Sequence, residues 1–318
     1  MLVDMLCDIV EKIKAAEKIA IFNHENPDGD ALGSAFGLKL IILAMGKKAD
    51  VFLREGDERT REYKLIRGVE SCGLAIDECD LKIAVDCADI RRLGTLKDVF
   101  MGNTAAIDHH MTHVNYAEVT YVADAPATGE IIYDLAVEAG VEMTKDIANN
   151  LYVAISCDTG SFKYSSTTPK THRVAAELLE TGIDVGELSK KIFDTKSFGY
   201  FKAYKRGIDN LDLFENGKIA VLAITNKDFE ELGVDETIID GIVELPRSVE
   251  GAEVGAYIRQ KEDGAFKVSL RSNGDVDVAK AAVAFGGGGH IKASGFLIRK
   301  DLDTVKTELV EELKKQLQ

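Results

Sequence analysis

The stretch NHENPDGDALGS, residues 23–34, sets His24, Asp28 and Asp30 in one short loop directly behind the apolar run Ile19-Ala20-Ile21-Phe22. Three further segments share this form, an apolar run followed by acid or imidazole: Asp86 in AVDCAD, Asp108-His109-His110 in AAIDHH, and Asp158 in AISCDTGSF. Each alone has an ordinary explanation, because aspartate caps helices and heads turns. Together they do not, since helix caps give no reason to gather three of the six histidines beside them. The chemistry such a set performs is cation binding. Carboxylates with imidazole and without thiolate suit manganese or magnesium, manganese being favoured as nitrogen donors increase, with cobalt as a further alternative. The candidates outnumber the ligands of one ion and suit two divalent ions sharing a bridging carboxylate, with His24 and Asp28 on one ion and Asp30 reaching the other. Two such ions, about 3.5–4 Å apart, clamp a phosphoryl oxygen and acidify a bridging water.

Convergence of these residues requires a scaffold that brings strand ends together. Apolar runs at 18–23, 49–53, 82–86 and 103–107 predict buried strands, and helical patterns at 3–16, 30–46, 127–140 and 144–157 fall between or after them. That alternation predicts an α/β fold with a parallel sheet flanked by helices, in which ligands collect at the carboxyl ends of strands. All four clusters are expected at such ends. The text turns helical from 169 to about 211, and new strand patterns follow at 218–224, 253–260, 266–271 and 293–298, with helices near 226–233, 277–285 and 301–316. The expected organisation is a catalytic domain over 1–185, a helical linker over 186–211 and a smaller α/β domain over 212–318. A length of 318 residues is compatible with two cores.

Composition narrows the function. The net charge of −15 comes without a basic stripe, which argues against a protein that tracks long duplex DNA. No apolar run approaches the ~18 residues of a membrane span, and the N-terminus mixes acids and lysines where a signal peptide needs a basic start and an uninterrupted apolar core. A cytoplasmic protein without membrane partners is expected. Cys7, Cys72, Cys79, Cys87 and Cys157 are odd in number and form no C-x-x-C pair, so neither a disulfide framework nor a zinc-thiolate site is expected.

In this order the segments NHENPDGDALGS, DCAD, DHH and CDTGSF resemble the DHH phosphoesterases, a family named for the triplet seen here as Asp108-His109-His110. The resemblance implies that one metal site takes His24, Asp28 and Asp86, and that the second takes Asp30, Asp86, His109 and Asp158, with Asp86 as the bridge. It assigns His110 to the scissile phosphate and leaving group, and Asp108 to orienting the histidines. In the second half, KVSLRSNG at 267–274 and FGGGGHIKASG at 285–295 resemble the substrate-binding motifs of the DHH-associated C-terminal domain. Arg271 can pair bidentately with a phosphate, Ser272 and His290 can add hydrogen bonds, and Gly287, Gly288 and Gly289 leave backbone N–H groups open to close approach. His113 in DHHMTH is a local departure without an assigned role, expected at the surface or behind the ligands.

The subgroup that the chain resembles most is the small two-domain oligoribonucleases that also act as 3′-phosphoadenosine 5′-phosphate phosphatases. The resemblance implies short oligonucleotides or small phosphorylated nucleotides as substrates, held at one end by the second domain, and leaves a homodimer open. No sensor, membrane or nucleic-acid-binding module beyond the two domains is expected. Two other readings use the same residues: a phosphodiesterase acting on cyclic or linear dinucleotides, and a nucleotide sensor without turnover.

Overall fold

The structure is a computed structural model that describes residues 6–234 and 241–317. Two compact units meet in sequence after Thr195. The first holds a five-stranded sheet, in which β1 (Lys18–Phe22), β2 (Lys48–Phe52), β3 (Leu81–Val85), β4 (Thr104–Asp108) and β5 (Val119–Val122) run parallel in the order β2-β1-β3-β4-β5. The central strands are apolar on both faces because both faces are covered, as parallel sheets require. Ile19, Ile21, Ile83 and Ile107 pack into the main core, and Ala20, Phe22 and Ala84 pack into a second cluster with Leu93 and Phe100.

Register decides where the chemistry goes. Phe22 pairs with Ala84 and Ala84 with Ala106, so these three residues form one row across β1, β3 and β4. His24, Asp86 and Asp108 each stand two residues beyond that row. The strand order reverses at β1, with β2 on one side and β3 on the other, which opens a crevice at the carboxyl ends.

Around the sheet lie α1 (Leu6–Ala15), α2 (Gly29–Ala44), α3 (Thr128–Glu138), α4 (Lys145–Asp158), α5 (Pro169–Glu180) and the short α6 (Val185–Ser189), which runs on through a π-helical turn at Lys190–Asp194. Residues 3–5 of the helix expected over 3–16 lie outside the described residues. Helices α2 and α4 approach closely because Gly33 has no side chain. A Cβ there would stand 2.4 Å from the Asn150 carbonyl oxygen and 2.8 Å from Ala154 Cβ. This contact lays the end of α4 beside the start of α2.

The second unit begins with α7 (Phe198–Asp209), which buries Ala203 against Leu222 and Ile224. Its six-stranded mixed sheet comprises β6 (Leu211–Phe214), β7 (Ile219–Ile224), β8 (Val254–Gln260), β9 (Phe266–Ser272), β10 (Gly288–His290) and β11 (Ala293–Ile298), in the order β10-β11-β9-β8-β7-β6. Helices α8 (Asn226–Leu232), α9 (Val278–Ala284) and α10 (Leu302–Lys314) complete it. Val268, Leu270, Val278, Ala281, Leu309 and Leu313 form its core. No helix among the described residues is long and apolar enough to cross a membrane.

The α/β architecture agrees with the sequence reading, and three short strands were not read. β5, β6 and β10 span four, four and three residues and bury none of them fully, so they carry little of the apolar signal that marks a central strand.

Candidate metal centre

Asp86 follows β3 with φ +53°, a left-handed conformation that is unfavourable for a residue with a side chain. Its N–H still donates to the Ile107 carbonyl at 3.0 Å, so the ladder continues while the side chain turns over the end of the sheet. Backbone cost at a convergence point is a mark of functional constraint. The carboxylate is buried between two histidines: Oδ2 lies 3.6 Å from His24 Nε2 and Oδ1 lies 3.5 Å from His109 Nε2. Thr128 Oγ1 donates to Oδ1 at 3.0 Å. Burial pushes this carboxyl up, but the neighbouring imidazoles of His24, His109 and His110 outweigh it and hold the group below its ordinary value.

Both ligand-type imidazoles are oriented from behind. His24 Nδ1 bonds the Glu25 carbonyl at 2.9 Å and His109 Nδ1 bonds the Ala125 carbonyl at 3.1 Å. A backbone carbonyl can only accept, so Nδ1 carries a proton, and Nε2, which faces the carboxylates, is the nitrogen that can give up its proton and offer a lone pair to a cation, the arrangement typical of metal-binding histidines. His24 Nε2 is 3.9 Å from Asp28 Oδ2, while His109 Nε2 is 3.9 Å from Asp30 Oδ2 and 3.3 Å from Asp158 Oδ2.

Asp28 and Asp30 both satisfy helix N-termini. Asp28 Oδ1 caps its own helix α2, accepting from the N–H groups of Asp30 and Ala31, each at 3.0 Å. Fully buried Asp30 accepts from Ser34 Oγ at 2.9 Å and from the N–H groups of Thr128 and Gly129 at 2.7 and 2.9 Å. It therefore supplies α3 with the cap that Ala127, in the capping position, cannot give.

Three groups of donors lie with their atoms within 4.8 Å of one another among the described residues: His24, Asp28 and Asp86; Asp30, His109 and Asp158; and Asp86, His109 and His110. The donor set fits divalent cations, being hard carboxylate oxygen with imidazole. Electrostatics agree. Burial and the charges of Asp86, Asp158 and Asp28 push Asp30 well above the ordinary carboxylate range, and burial with the charges of Asp28 and Asp86 pushes Asp158 up to about 7. Such crowding of buried carboxylates is what a cation relieves.

Behind the donors, Asp108 is fully buried and accepts from His110 Nδ1 at 2.7 Å on one oxygen and from His113 Nδ1 at 2.6 Å on the other. The hydrogen bond that His110 donates to Asp108 raises the His110 pKa and engages Nδ1, so that Nε2 of this one-third-exposed ring is the nitrogen offered to a substrate oxygen.

Residues 18–155 match the N-terminal domain of the DHH family and residues 216–318 match the DHHA1 domain. The bifunctional oligoribonuclease and PAP phosphatase NrnA of Thermus thermophilus is 32% identical, over 97% of this chain and 93% of its own. The chain belongs to the DHH family. NrnA of Bacillus subtilis is 27% identical over 92% of each chain. An exopolyphosphatase-related protein from Bacteroides fragilis shares the fold with a TM-score of 0.85 at 23% identity, covering 98% of this chain and 95% of its own.

Within this DHH unit the structure gathers all six sequence-read ligand candidates, and it changes the origin of one. Asp158 ends the helix read over 144–157 and not a strand: it is the last residue of α4, carried to the sheet end by the glycine contact between α2 and α4. Thr128, Gly129 and Ser34 were missed. The available signal was a helix start without a cap of its own at Ala127.

In the DHHA1 unit, half-buried Arg271 on β9 meets Glu244 Oε1 at 3.2 Å through Nε and the Leu270 carbonyl at 3.1 Å through a terminal nitrogen. Ser272 is buried and donates to the Gly274 carbonyl at 3.2 Å, while His290 is exposed on β10. Two of the glycines serve their own hairpin. A Cβ on Gly287 would stand 2.2 Å from the Gly295 carbonyl oxygen, and one on Gly289, at φ +142°, 2.6 Å from that of Ala293. Gly288 faces open space.

Proposed function

We propose that the protein is a phosphoesterase using two divalent metal ions, manganese by preference, to hydrolyse oligonucleotides of about two to five residues and the 3′-phosphate of 3′-phosphoadenosine 5′-phosphate. The observation that carries this reading is Asp86, whose two carboxylate oxygens face different donor groups, His24 with Asp28 on one side and His109 on the other. The relatives named as oligoribonuclease and PAP phosphatase support the substrate class.

His24, Asp28 and Asp86 would hold one ion, and Asp30, Asp86, His109 and Asp158 the other. When bound, the ions supply Lewis-acid stabilisation of phosphoryl charge and an acidified water. The chain's own residues do the rest. Asp108 fixes the His110 ring so that Nε2 is presented to the phosphoryl or departing oxygen, and Thr128 pins the shared carboxylate in place. Arg271 and His290 are assigned to substrate capture, with Gly288 as the open member of the glycine run.

The division of labour is testable. Arg271→Ala and His290→Ala should each weaken substrate capture, seen as a raised KM, at a cost of ~1.5–3 kcal/mol for a lost charge-assisted bond to phosphate. Manganese binding by calorimetry should be unchanged, and a loss of bound metal in either variant contradicts the assignment.

Substrate length decides the function itself. With a net charge of −15 and no basic stripe, extra nucleotides bring repulsion without contacts. Efficiency kcat/KM should peak at about two to five nucleotides, fall with length and depend weakly on salt. A panel of such oligomers, longer strands, 3′-phosphoadenosine 5′-phosphate and cyclic dinucleotides, assayed with manganese at two salt concentrations, checks this. Efficiency that rises with length, a steep salt slope or a preference for cyclic dinucleotides overturns the reading, and absence of any hydrolysis points to a sensor.

A further inference from the structure

His113 lies three residues beyond the DHH triplet, and nothing in the proposed chemistry uses it. Its ring is buried, its Nδ1 lies 2.6 Å from Asp108 Oδ2, and its Nε2 has no hydrogen-bond partner among the described residues. The two oxygens of Asp108 are held unequally. Oδ1 accepts from the N–H of His109 at 2.9 Å, the N–H of His110 at 3.3 Å and His110 Nδ1 at 2.7 Å. Oδ2 has His113. The His113 ring is fixed in turn: it stacks on Tyr116 with centroids 5.2 Å apart, and Tyr116 Oη donates to the Cys87 carbonyl at 2.7 Å, one residue past Asp86. The His113 N–H closes a turn onto the His110 carbonyl at 3.0 Å.

We propose that His113 is a positioning residue that fixes the plane of the Asp108 carboxylate and, through it, the orientation of the His110 ring. This rests on the role given to His110 in phosphoester hydrolysis. A carboxylate held on one oxygen alone can rotate about its Cβ–Cγ bond and carry the His110 hydrogen bond with it. Donors on both oxygens remove that freedom. A core position needing only shape would take an apolar side chain, whereas His113 brings a buried nitrogen that no other described residue satisfies. Positions where a local packing rule is broken in this way are where function is expected.

The test compares His113→Leu with His113→Asn, whose amide N–H can occupy the Nδ1 position. His113→Leu should lower kcat by about 10–100-fold, the usual scale for losing an outer partner of a metal site. KM and manganese affinity should be unchanged, and His113→Asn should recover most of kcat. A second readout is independent of turnover. Nitrogen-15 NMR of histidine-labelled protein should show His110 fixed as the Nδ1–H tautomer in the wild type and in His113→Asn, and averaging between tautomers in His113→Leu. Wild-type kcat in His113→Leu overturns the proposal, as does equal loss in both variants, which would assign the effect to ring packing on Tyr116. If the wild-type protein hydrolyses none of the substrates, the functional reading fails by itself, and the NMR comparison still decides whether His113 sets His110.

Discussion

Asp86→Asn is expected to lower the hydrolysis rate on the order of 10³-fold or more, the scale on which losing a group that organises transition-state charge is felt. The side chain changes by one atom in shape, so Thr128 Oγ1 and the histidines keep a neighbour at that position. What is lost is charge. Asp86 is the carboxylate held ionised below its ordinary range despite burial, through the neighbouring imidazoles of His24, His109 and His110. An amide also replaces one acceptor oxygen of the carboxylate with a donor. Folding should survive, because the main sheet and its cores do not depend on that charge. The measurement is turnover of a dinucleotide across a manganese titration, with a thermal melt recorded beside it. Near-normal turnover at saturating manganese would sink the two-ion assignment.

Asp50→Ala should be the most damaging single change to stability, lowering the unfolding free energy by ~3–5 kcal/mol, as expected when one partner of a buried pair is left uncompensated. Lys39 on α2 is 2% exposed and its Nζ sits 3.1 Å from Asp50 Oδ1. Nζ also donates to the Glu70 carbonyl at 2.5 Å. Asp50 accepts in addition from Cys72 N at 2.7 Å, Ser71 Oγ at 2.9 Å and Leu74 N at 3.0 Å, so it pins the segment after Glu70 to β2. Alanine would strand a buried ammonium and three donors at once. Burial pushes the Asp50 carboxyl up, and those hydrogen bonds together with that from Lys39 bring it below its ordinary value. Its contribution is therefore complete above the unfolded carboxylate pKa of about 4 and is lost as pH falls through the lower folded value. Urea unfolding without added metal measures the effect. The double variant Lys39→Met with Asp50→Leu should recover part of the loss, and a single variant within 1 kcal/mol of wild type, against the ~3–5 expected, would refute the argument.

The sequence was most legible where one segment carries its own signal. β1, β3 and β4 are buried on both faces, so Ile19–Phe22, Leu81–Val85 and Thr104–Ile107 read as apolar runs whatever surrounds them. The ligand candidates were legible for a related reason, since acids and imidazoles directly behind such runs are conspicuous. Contacts that join distant segments were not legible. Thr128 reaches Asp86 across 42 residues and Asp30 across 98, and no local pattern marks a threonine as partner to two carboxylates. His113 was seen as an oddity and left without a role because its partner, Asp108, was itself read only as a support for its neighbours. Asp158 was counted among the strand ends although the helical pattern over 144–157 runs up to it, because nothing local shows that a helix end reaches the end of the sheet.

The row that aligns Phe22, Ala84 and Ala106 also governs when the protein becomes capable of anything. His24, Asp86 and Asp108 are brought level only by pairings between strands separated by tens of residues, so the donor set does not exist in any local fragment of the chain. Long-range parallel pairing is slow relative to helix formation. A nascent or refolding chain whose β3 has not yet docked between β1 and β4 carries helices and hydrophobic clusters but no place for a cation, and the hydrolytic centre is born with the closure of the sheet.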